Sequence, residues 1–593
     1  MKSLELLFHK LLILRAKYVS DRGLLLILSI FVGILSGLAS VVLKLAVHYI
    51  SYGLSFIYNL EWGNSLYLAM PLLGIFITVY YIKSFVKEDI SHGVTKILYS
   101  IPKNQAKIKI HNTYSSIITC AITNGFGGSV GMEAPILYTG AAIGSNIAQK
   151  FRLNFKTTTL LVGCGVAAAM ASIFKAPIAG LIFVLEVLMI DLTATSLIPL
   201  LIASVTGQIV AIFLSGKQIE FYFSLKDTFN YNHMPFYIIF GVFTGFISVY
   251  FTRVNYKIES FFKKITKPYT KVLIGGSLLG VLIFLFPPLY GEGYDALKLI
   301  LGGTPEDIMQ NSLFVSYKGN MLVFLGFILL MIVFKVFSTT FTTGGGGIGG
   351  VFAPSLFIGG LAGFFFASTF NYFNIVSLSI SNFALVGMAG LIAGVIHAPL
   401  TAIFLIAEIT GGYELFIPLI LTSLISYTTI MIFEPHSIYT SKLASAGELI
   451  SHDKDKTVLT LLNLKSVIET NFICVYPYMT LGDLVKEITK TARNIFPVVD
   501  KDNYFLGVIT LDEIRHIMFE HEKYNDVYVK DYMIQPLSSV SSTDTMEFVM
   551  KKFQETKYWN LPVIDNGKYV GFVSRANVFN AYREQLKEFC GDE

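Results

Sequence analysis

The first 450 residues alternate long apolar stretches with short polar connections. Many of the apolar stretches are long enough, or nearly so, to cross a bilayer as a helix, which takes roughly 20 residues. The clearest cover residues 23–50, 66–82, 195–214, 234–252, 271–288, 318–337 and 414–433. The pattern predicts a polytopic all-α membrane domain over residues 23–450. It disfavours a large soluble helical protein, because so many long stretches with few charges have no other suitable solvent.

From about residue 451 the pattern changes to short strands that alternate with amphipathic helices. The segment FPVVDKDNYFLGVITLDEI at 496–514 parallels LPVIDNGKYVGFVSRANV at 561–578. A helical stretch precedes each segment, at 481–492 and at 544–556. Residues 451–593 are therefore predicted to form a tandem α/β repeat, whose units cover about 465–520 and 530–586.

Charge follows the same division, because residues 451–593 hold 38 of the 85 charged residues. The net charge of +5 is too small to indicate nucleic acid as a partner. Residues 1–22 combine five basic residues with a leucine-rich stripe, which predicts a cytoplasmic amphipathic segment under the positive-inside rule. The four scattered cysteines offer neither metal spacing nor a disulfide framework.

The membrane domain contains an internal repeat. Ala134-Pro135 and Ala353-Pro354 are each followed by two glycines at the same spacing, Gly140 and Gly144 in the first half and Gly359 and Gly363 in the second. KAPIAGLIFVLE, ending at Glu186, likewise matches HAPLTAIFLIAE, ending at Glu408. Repeats of this kind in transporters are often inverted and meet at a substrate site near the bilayer midplane.

Two glycine-rich breaks, 125–135 and 342–354, open directly into helices. Backbone of this kind cannot face lipid, so it must line a cavity or lie inside protein. Each break supplies a helix N-terminus, whose N–H groups and partial positive charge suit an anion. Glu133 lies at one such start, and an intramembrane carboxylate is by default a functional candidate. We expect ionised Glu133 to compete with the permeant anion and protonated Glu133 to swing away; a purely capping carboxylate is the alternative.

GGSVGMEAP, KAPIAG, GGVFAP and the tyrosine of HSIYTSKLA occur in this order, and the set resembles the CLC family of chloride channels and proton/chloride antiporters. The resemblance implies a homodimer of inverted-repeat subunits, each with its own pore. It places Glu133 at the external gate and Val351, Phe352 and Tyr439 at the central anion. Gly131 belongs to the same anion-binding set.

Three positions depart from the family pattern. His92 stands at the pore serine, within SHGVT at 91–95. Either its imidazole contacts the anion and adds pH sensitivity, or it turns away and the backbone of Gly93 makes the contact. Met132 replaces a frequent Arg or Lys beside the gate. Val187 replaces the internal glutamate that relays protons in some members, which favours a passive channel, while the neighbouring Glu186 is expected to be structural.

The C-terminal repeat resembles a CBS pair, which often binds adenine nucleotides. The resemblance implies ribose recognition by Ser or Thr followed three residues later by Asp, and here Ser574 precedes Asn577 while Thr510 precedes Glu513. A CBS pair that only supports the dimer is the alternative. No other cofactor is expected.

The sequence therefore predicts a multi-pass protein of the cell inner (plasma) membrane, with both termini in the cytoplasm, that conducts chloride as a voltage- or pH-gated channel. A proton/chloride antiporter is the first alternative. A nucleotide-sensing membrane protein with a vestigial pore is the second. No nucleophile–base pair, metal cluster or Walker loop indicates an enzyme.

Overall fold

The computed structural model describes residues 20–58, 63–190, 193–216, 229–310, 312–317, 319–445, 462 and 464–590. The chain divides into two compact units, one ending at Leu449 and the other beginning at Ile450. Residues 1–19 of the predicted cytoplasmic segment 1–22 lie outside the described residues.

Helices build the described part of the first unit. Within the described ranges, eight of them are long and apolar enough to cross a membrane. The helices are α1 Asp21–Tyr58, α2 Gly63–Tyr81, α3 Gly93–Lys103, α4 Ser115–Gly125, α5 Glu133–Lys150, α6 Phe155–Phe174, α7 Pro177–Val187, α8 Ala194–Ser215, α9 Met234–Lys264, α10 Pro268–Leu285, α11 Tyr294–Gly302, α12 Met321–Gly345, α13 Phe352–Tyr372, α14 Ile380–Ile396, α15 Pro399–Ile409, α16 Phe416–Met431 and α17 Ser441–Ser445.

The seven long apolar stretches correspond to helices α1, α2, α8, α9, α10, α12 and α16. Helices α6 and α13 are also of spanning length, although they are not among the clearest apolar stretches of the sequence. Their most apolar windows are 83% and 89% buried inside the protein. These helices contact other helices rather than lipid. Small residues therefore suit them better than large apolar ones, because small residues let the helix backbones approach closely.

Two equivalent helix pairs form the centre of the first unit. Helices α5 and α6 touch where Gly140 meets Gly165, and a Cβ added at Gly140 would lie 2.2 Å from the Gly165 carbonyl oxygen. Helices α13 and α14 touch in the same way, with 2.3 Å between a Cβ added at Gly359 and the Gly387 oxygen. The repeat seen in the sequence is thus a repeated packing arrangement, in which glycine brings two backbones into contact.

The second unit is an α/β tandem. Strands β2 (Ile495–Val499) and β3 (Phe505–Thr510) form one hairpin, and β4 (Asn560–Asp565) and β5 (Lys568–Ser574) form the other. Val498 pairs with Gly507 and Val563 pairs with Gly571, and each register shifts at the next residue. The remaining elements are α18 Leu464–Val467, β1 Ile468–Glu469, α19 Leu481–Ile488, α20 Leu511–Ile514, α21 Val529–Tyr532, α22 Met546–Thr556 and α23 Arg575–Cys590.

Candidate functional site

The two glycine-rich breaks meet in a short antiparallel bridge. The Gly131 N–H donates to the Gly350 oxygen at 2.9 Å, and the Gly350 N–H donates to the Gly131 oxygen at 2.8 Å. Gly131 lies two residues before the start of α5, and Gly350 lies two residues before the start of α13. The bridge therefore sets two helix N-termini side by side in the interior, one from each half of the repeat.

Three other predicted anion-site residues, Gly93, Phe352 and Tyr439, lie near this bridge. Gly93 lies against the first turn of α5, since a Cβ added there would be 2.6 Å from the Ala134 oxygen. Thr95, two residues later, donates its hydroxyl to the Tyr439 carbonyl oxygen at 3.0 Å. Phe352 is 1% exposed and Tyr439 is 7% exposed. Residues from three distant parts of the chain are thus buried close to the start of α5.

The Glu133 carboxylate lies at the junction of these helix starts and is 1% exposed. Its Oε1 accepts a hydrogen bond from the Tyr294 hydroxyl at 2.8 Å. Its Oε2 occupies the space beside Gly131, where an added Cβ would be only 1.9 Å away. Oε2 has no hydrogen bond of good geometry to the described residues, although the Ala353 amide of α13 lies near the carboxylate. The acid therefore occupies the position that suits a small anion.

The segment of residues 289–294 covers the start of α5. The Glu292 carboxylate accepts from the Met132 N–H at 2.8 Å. Lys335, which is fully buried, donates to the Gly291 oxygen at 2.9 Å and lies 4.8 Å from the centre of the Phe357 ring. Glu292, Tyr294 and Lys335 are not among the residues predicted from the sequence. The signal for Lys335 was available, because it is a lone cation inside an apolar helix.

His92 forms a polar cluster with Glu259 and Lys442. Its Nε2 is 2.9 Å from the Lys442 Nζ and 3.4 Å from Glu259, and Lys442 is 2.6 Å from Glu259. Nearby, burial opposes ionisation of Asp89, but Lys96 and the hydrogen bond from Ser91 outweigh it and lower the pKa of Asp89. The imidazole thus has fixed ionic partners, while the backbone of Gly93 lies against α5. An anion contact by either group stays a prediction.

Glu186 and Glu408 have the structural role that the repeat suggested. Glu186 accepts from the N–H groups of Leu400 and Thr401 at 3.0 and 2.8 Å, at the start of α15. Glu408 accepts from the N–H groups of Ile178 and Ala179 at 3.0 and 2.9 Å, at the start of α7. Each half therefore caps a helix of the other. Val187, beside Glu186, is buried and apolar.

In the second unit, two of the three predicted nucleotide residues, Thr510 and Ser574, cap helix starts. Ser574 accepts from the Asn577 N–H at 3.2 Å and donates its hydroxyl to Glu469 at 2.8 Å. Thr510 accepts from the Glu513 N–H at 3.4 Å. The Ser574 hydroxyl thus has both a donor and an acceptor contact within the protein, and the Thr510 oxygen has an acceptor contact. Nucleotide binding by Thr510, Ser574 and Asn577 stays a prediction.

Paired helix N-termini inside an apolar helical body, with a carboxylate between them, are the features expected of a membrane protein that transports anions. A family model described as "Voltage gated chloride channel" matches residues 73–430, and a CBS domain model matches residues 464–520 and 529–584. This chain belongs to the CLC family of chloride transport proteins and carries a CBS pair. The family and the fold class predicted from the sequence are confirmed.

Relatives and solved structures agree with this assignment. The chain is 28% identical over 420 residues to the "H(+)/Cl(-) exchange transporter ClcA" of Vibrio cholerae, covering 67% of this chain and 84% of that protein. The fold is shared with a slow cyanobacterial Cl-/H+ antiporter (TM-score 0.61, 22% identity, 72% of this chain and 98% of that one). It is also shared with a eukaryotic CLC transporter (TM-score 0.59, 17% identity, 94% of this chain and 99% of that one).

Proposed function

We propose that this protein exchanges chloride for protons across the membrane, with Glu133 as both the gate and the proton carrier. The observation that carries the proposal is the Glu133 carboxylate at the junction of two helix N-termini. Each N-terminus contributes about half a positive charge. Together they stabilise one small anion at a time, which is chloride or the ionised gate.

The exchange follows from this competition. Ionised Glu133 occupies the site and excludes chloride. A proton that neutralises Glu133 removes its attraction to the helix N-termini, so the side chain leaves and chloride enters. Because helix dipoles hold the ion without a full cationic partner, chloride is bound weakly enough to leave again.

The named relatives support the antiporter over the channel that the sequence favoured. The solved antiporter and the Vibrio exchanger share this fold or sequence. One observation favours the passive channel as a second candidate: Val187 is buried and cannot carry a proton. The assembled pore residues weigh against a vestigial pore.

Flux from reconstituted liposomes separates the two candidates. Outward chloride movement, with potassium and valinomycin to dissipate charge, should drive protons inward and raise the external pH. The variant Glu133→Gln should keep chloride flux, lose proton movement and lose pH dependence. Chloride efflux from the wild type without proton movement would establish the channel instead.

The proposal also covers the oligomeric state, the membrane location and the role of the CBS pair. We propose a homodimer in the cell inner (plasma) membrane, with both termini in the cytoplasm. An adenine nucleotide at the CBS pair is the proposed regulator. Calorimetric titration of the full-length protein with ATP tests it, with Ser574→Ala as the variant. Absence of heat in the wild type would leave the CBS pair with a supporting role alone.

A further inference from the structure

We propose that Tyr294 is a positioning residue that holds ionised Glu133 in the pore and so sets the pH at which the gate opens. The proposal rests on the gating role given to Glu133 above. Its basis is one short contact, in which the buried Tyr294 hydroxyl donates to the Glu133 Oε1 at 2.8 Å. A hydrogen bond to an ionised acceptor is roughly twice as strong as one between neutral groups.

The backbone around Tyr294 is held in place. Tyr294 is the first residue of α11 and is 8% exposed. Gly293, before it, has φ +91°, and a Cβ added there would lie 2.4 Å from the Phe357 ring. Tyr294 therefore follows a glycine in the left-handed conformation that packs against an aromatic ring of α13. This packing gives the Tyr294 hydroxyl little freedom to follow the Glu133 carboxylate when it leaves.

A second contact ties the same segment to the residue before the gate. Glu292 accepts from the Met132 N–H at 2.8 Å, and Lys335 donates to the carbonyl oxygens of Gly291 and Leu289 at 2.9 and 3.3 Å. The segment thus binds the backbone of Met132 through Glu292 and the side chain of Glu133 through Tyr294. With its anchor fixed, the hydroxyl remains in position whether or not the carboxylate is there.

The consequence is a bias in the competition for the pore. The hydroxyl stabilises the ionised, pore-bound carboxylate more than the protonated one, and it therefore lowers the pH at which the gate is released. The other titratable groups near Glu133 in the described residues are Lys44, Cys120, Tyr439 and Glu292, with Lys335 near Glu292. All five of these side chains are retained when only the Tyr294 hydroxyl is removed.

Tyr294→Phe tests the proposal, because it removes one oxygen and keeps the ring. Initial chloride flux from liposomes is measured between about pH 4 and pH 8, a range that spans the usual carboxyl pKa. We expect the midpoint of the flux–pH curve to move to higher pH by about one unit, a tenfold change in proton affinity. Incorporation of 3-fluorotyrosine at 294, a stronger donor, should move the midpoint the other way.

Tyr290→Phe is the matched control, since the Tyr290 hydroxyl donates to the Gly125 oxygen at 2.9 Å. It should leave the midpoint unchanged. In a Glu133→Gln background, Tyr294→Phe should shift nothing further. A Tyr294→Phe midpoint equal to the wild-type value, or equal shifts in both tyrosine variants, would overturn the role of Tyr294. If Glu133→Gln itself retained the wild-type pH curve, the result would contradict the gating role of Glu133 and not the positioning role of Tyr294.

Discussion

The two halves of the membrane domain build the same framework but place different side chains on it. Gly131 and Gly350 are equivalent in the repeat, and they pair directly with each other. Two residues further on, the first half has Glu133 and the second half has Phe352. The backbone arrangement is therefore made twice, whereas the acid is present once. In the proposed exchange, the proton-sensitive group comes from one half and the anion-binding helix starts come from both.

The strongest test of this equivalence is the glycine contact within each helix pair. Gly140→Ala and Gly359→Ala would each force a Cβ to within 2.2 or 2.3 Å of a backbone oxygen. We expect each to destabilise the protein by about 3 kcal/mol, at the upper end for overpacking. Denaturant titration in detergent micelles measures this. Gly326→Ala is the control, because an added Cβ there meets nothing within 4 Å. A large effect in only one of the two halves would contradict their equivalence.

The bridging glycines should separate gating from structure. A Cβ at Gly131 would lie 1.9 Å from the Glu133 Oε2, whereas a Cβ at Gly350 meets the Ala134 Cβ at 2.9 Å. Gly131→Ala should therefore expel the flexible carboxylate and make flux independent of pH, as in Glu133→Gln. Gly350→Ala should lower stability and keep the pH dependence of flux. Liposome flux at several pH values distinguishes them, and a normal pH curve for Gly131→Ala would show that the carboxylate does not reside beside this glycine.

The smallest expected effect comes from the two glutamates that each cap a helix of the opposite half. They also compare the two halves most directly. Glu186→Gln and Glu408→Gln should each cost about 1 to 2 kcal/mol, because each weakens charge-assisted bonds to a helix N-terminus. Both variants should keep the ratio of protons to chloride, measured by the pH electrode and chloride electrode together. Loss of proton movement in Glu186→Gln alone would make that residue a proton relay and break the symmetry of the two halves.

Sequence patterns predicted most of the fold because lipid and water impose different compositions on it. Helices facing lipid, such as α1 and α12, stand out as long apolar stretches. Interior helices such as α6 are rich in small residues, so hydropathy detects them poorly. In the tail, the parallel segments 496–514 and 561–578 each correspond to one of two equivalent hairpins, which agrees with the predicted tandem repeat. The helix predicted over 481–492 begins where expected but ends at Ile488. The helix predicted over 544–556 begins later, at Met546, because Thr545 caps its start.

The sequence predicted only those parts of the candidate site that short local motifs encode. Glycine-rich helix starts and Glu133 are visible in short motifs. The Tyr294 contact joins positions 161 residues apart, and no local pattern encodes such a pairing. His92 shows the same limit: its partners Glu259 and Lys442 come from two distant helices. Motifs identify the backbone of an anion site, while the side chains that tune it come from the tertiary fold.

The exchanged glutamate caps also decide which helix starts are available for transport. The starts of α7 and α15 are capped by the carboxylates of Glu408 and Glu186, which belong to the opposite half. The starts of α5 and α13 have Glu133 beside them, and in the proposed mechanism its departure exposes their N–H groups. Of these four helix starts, two are therefore occupied by carboxylates of the protein itself, and the proposal leaves the other two accessible to anions from solution.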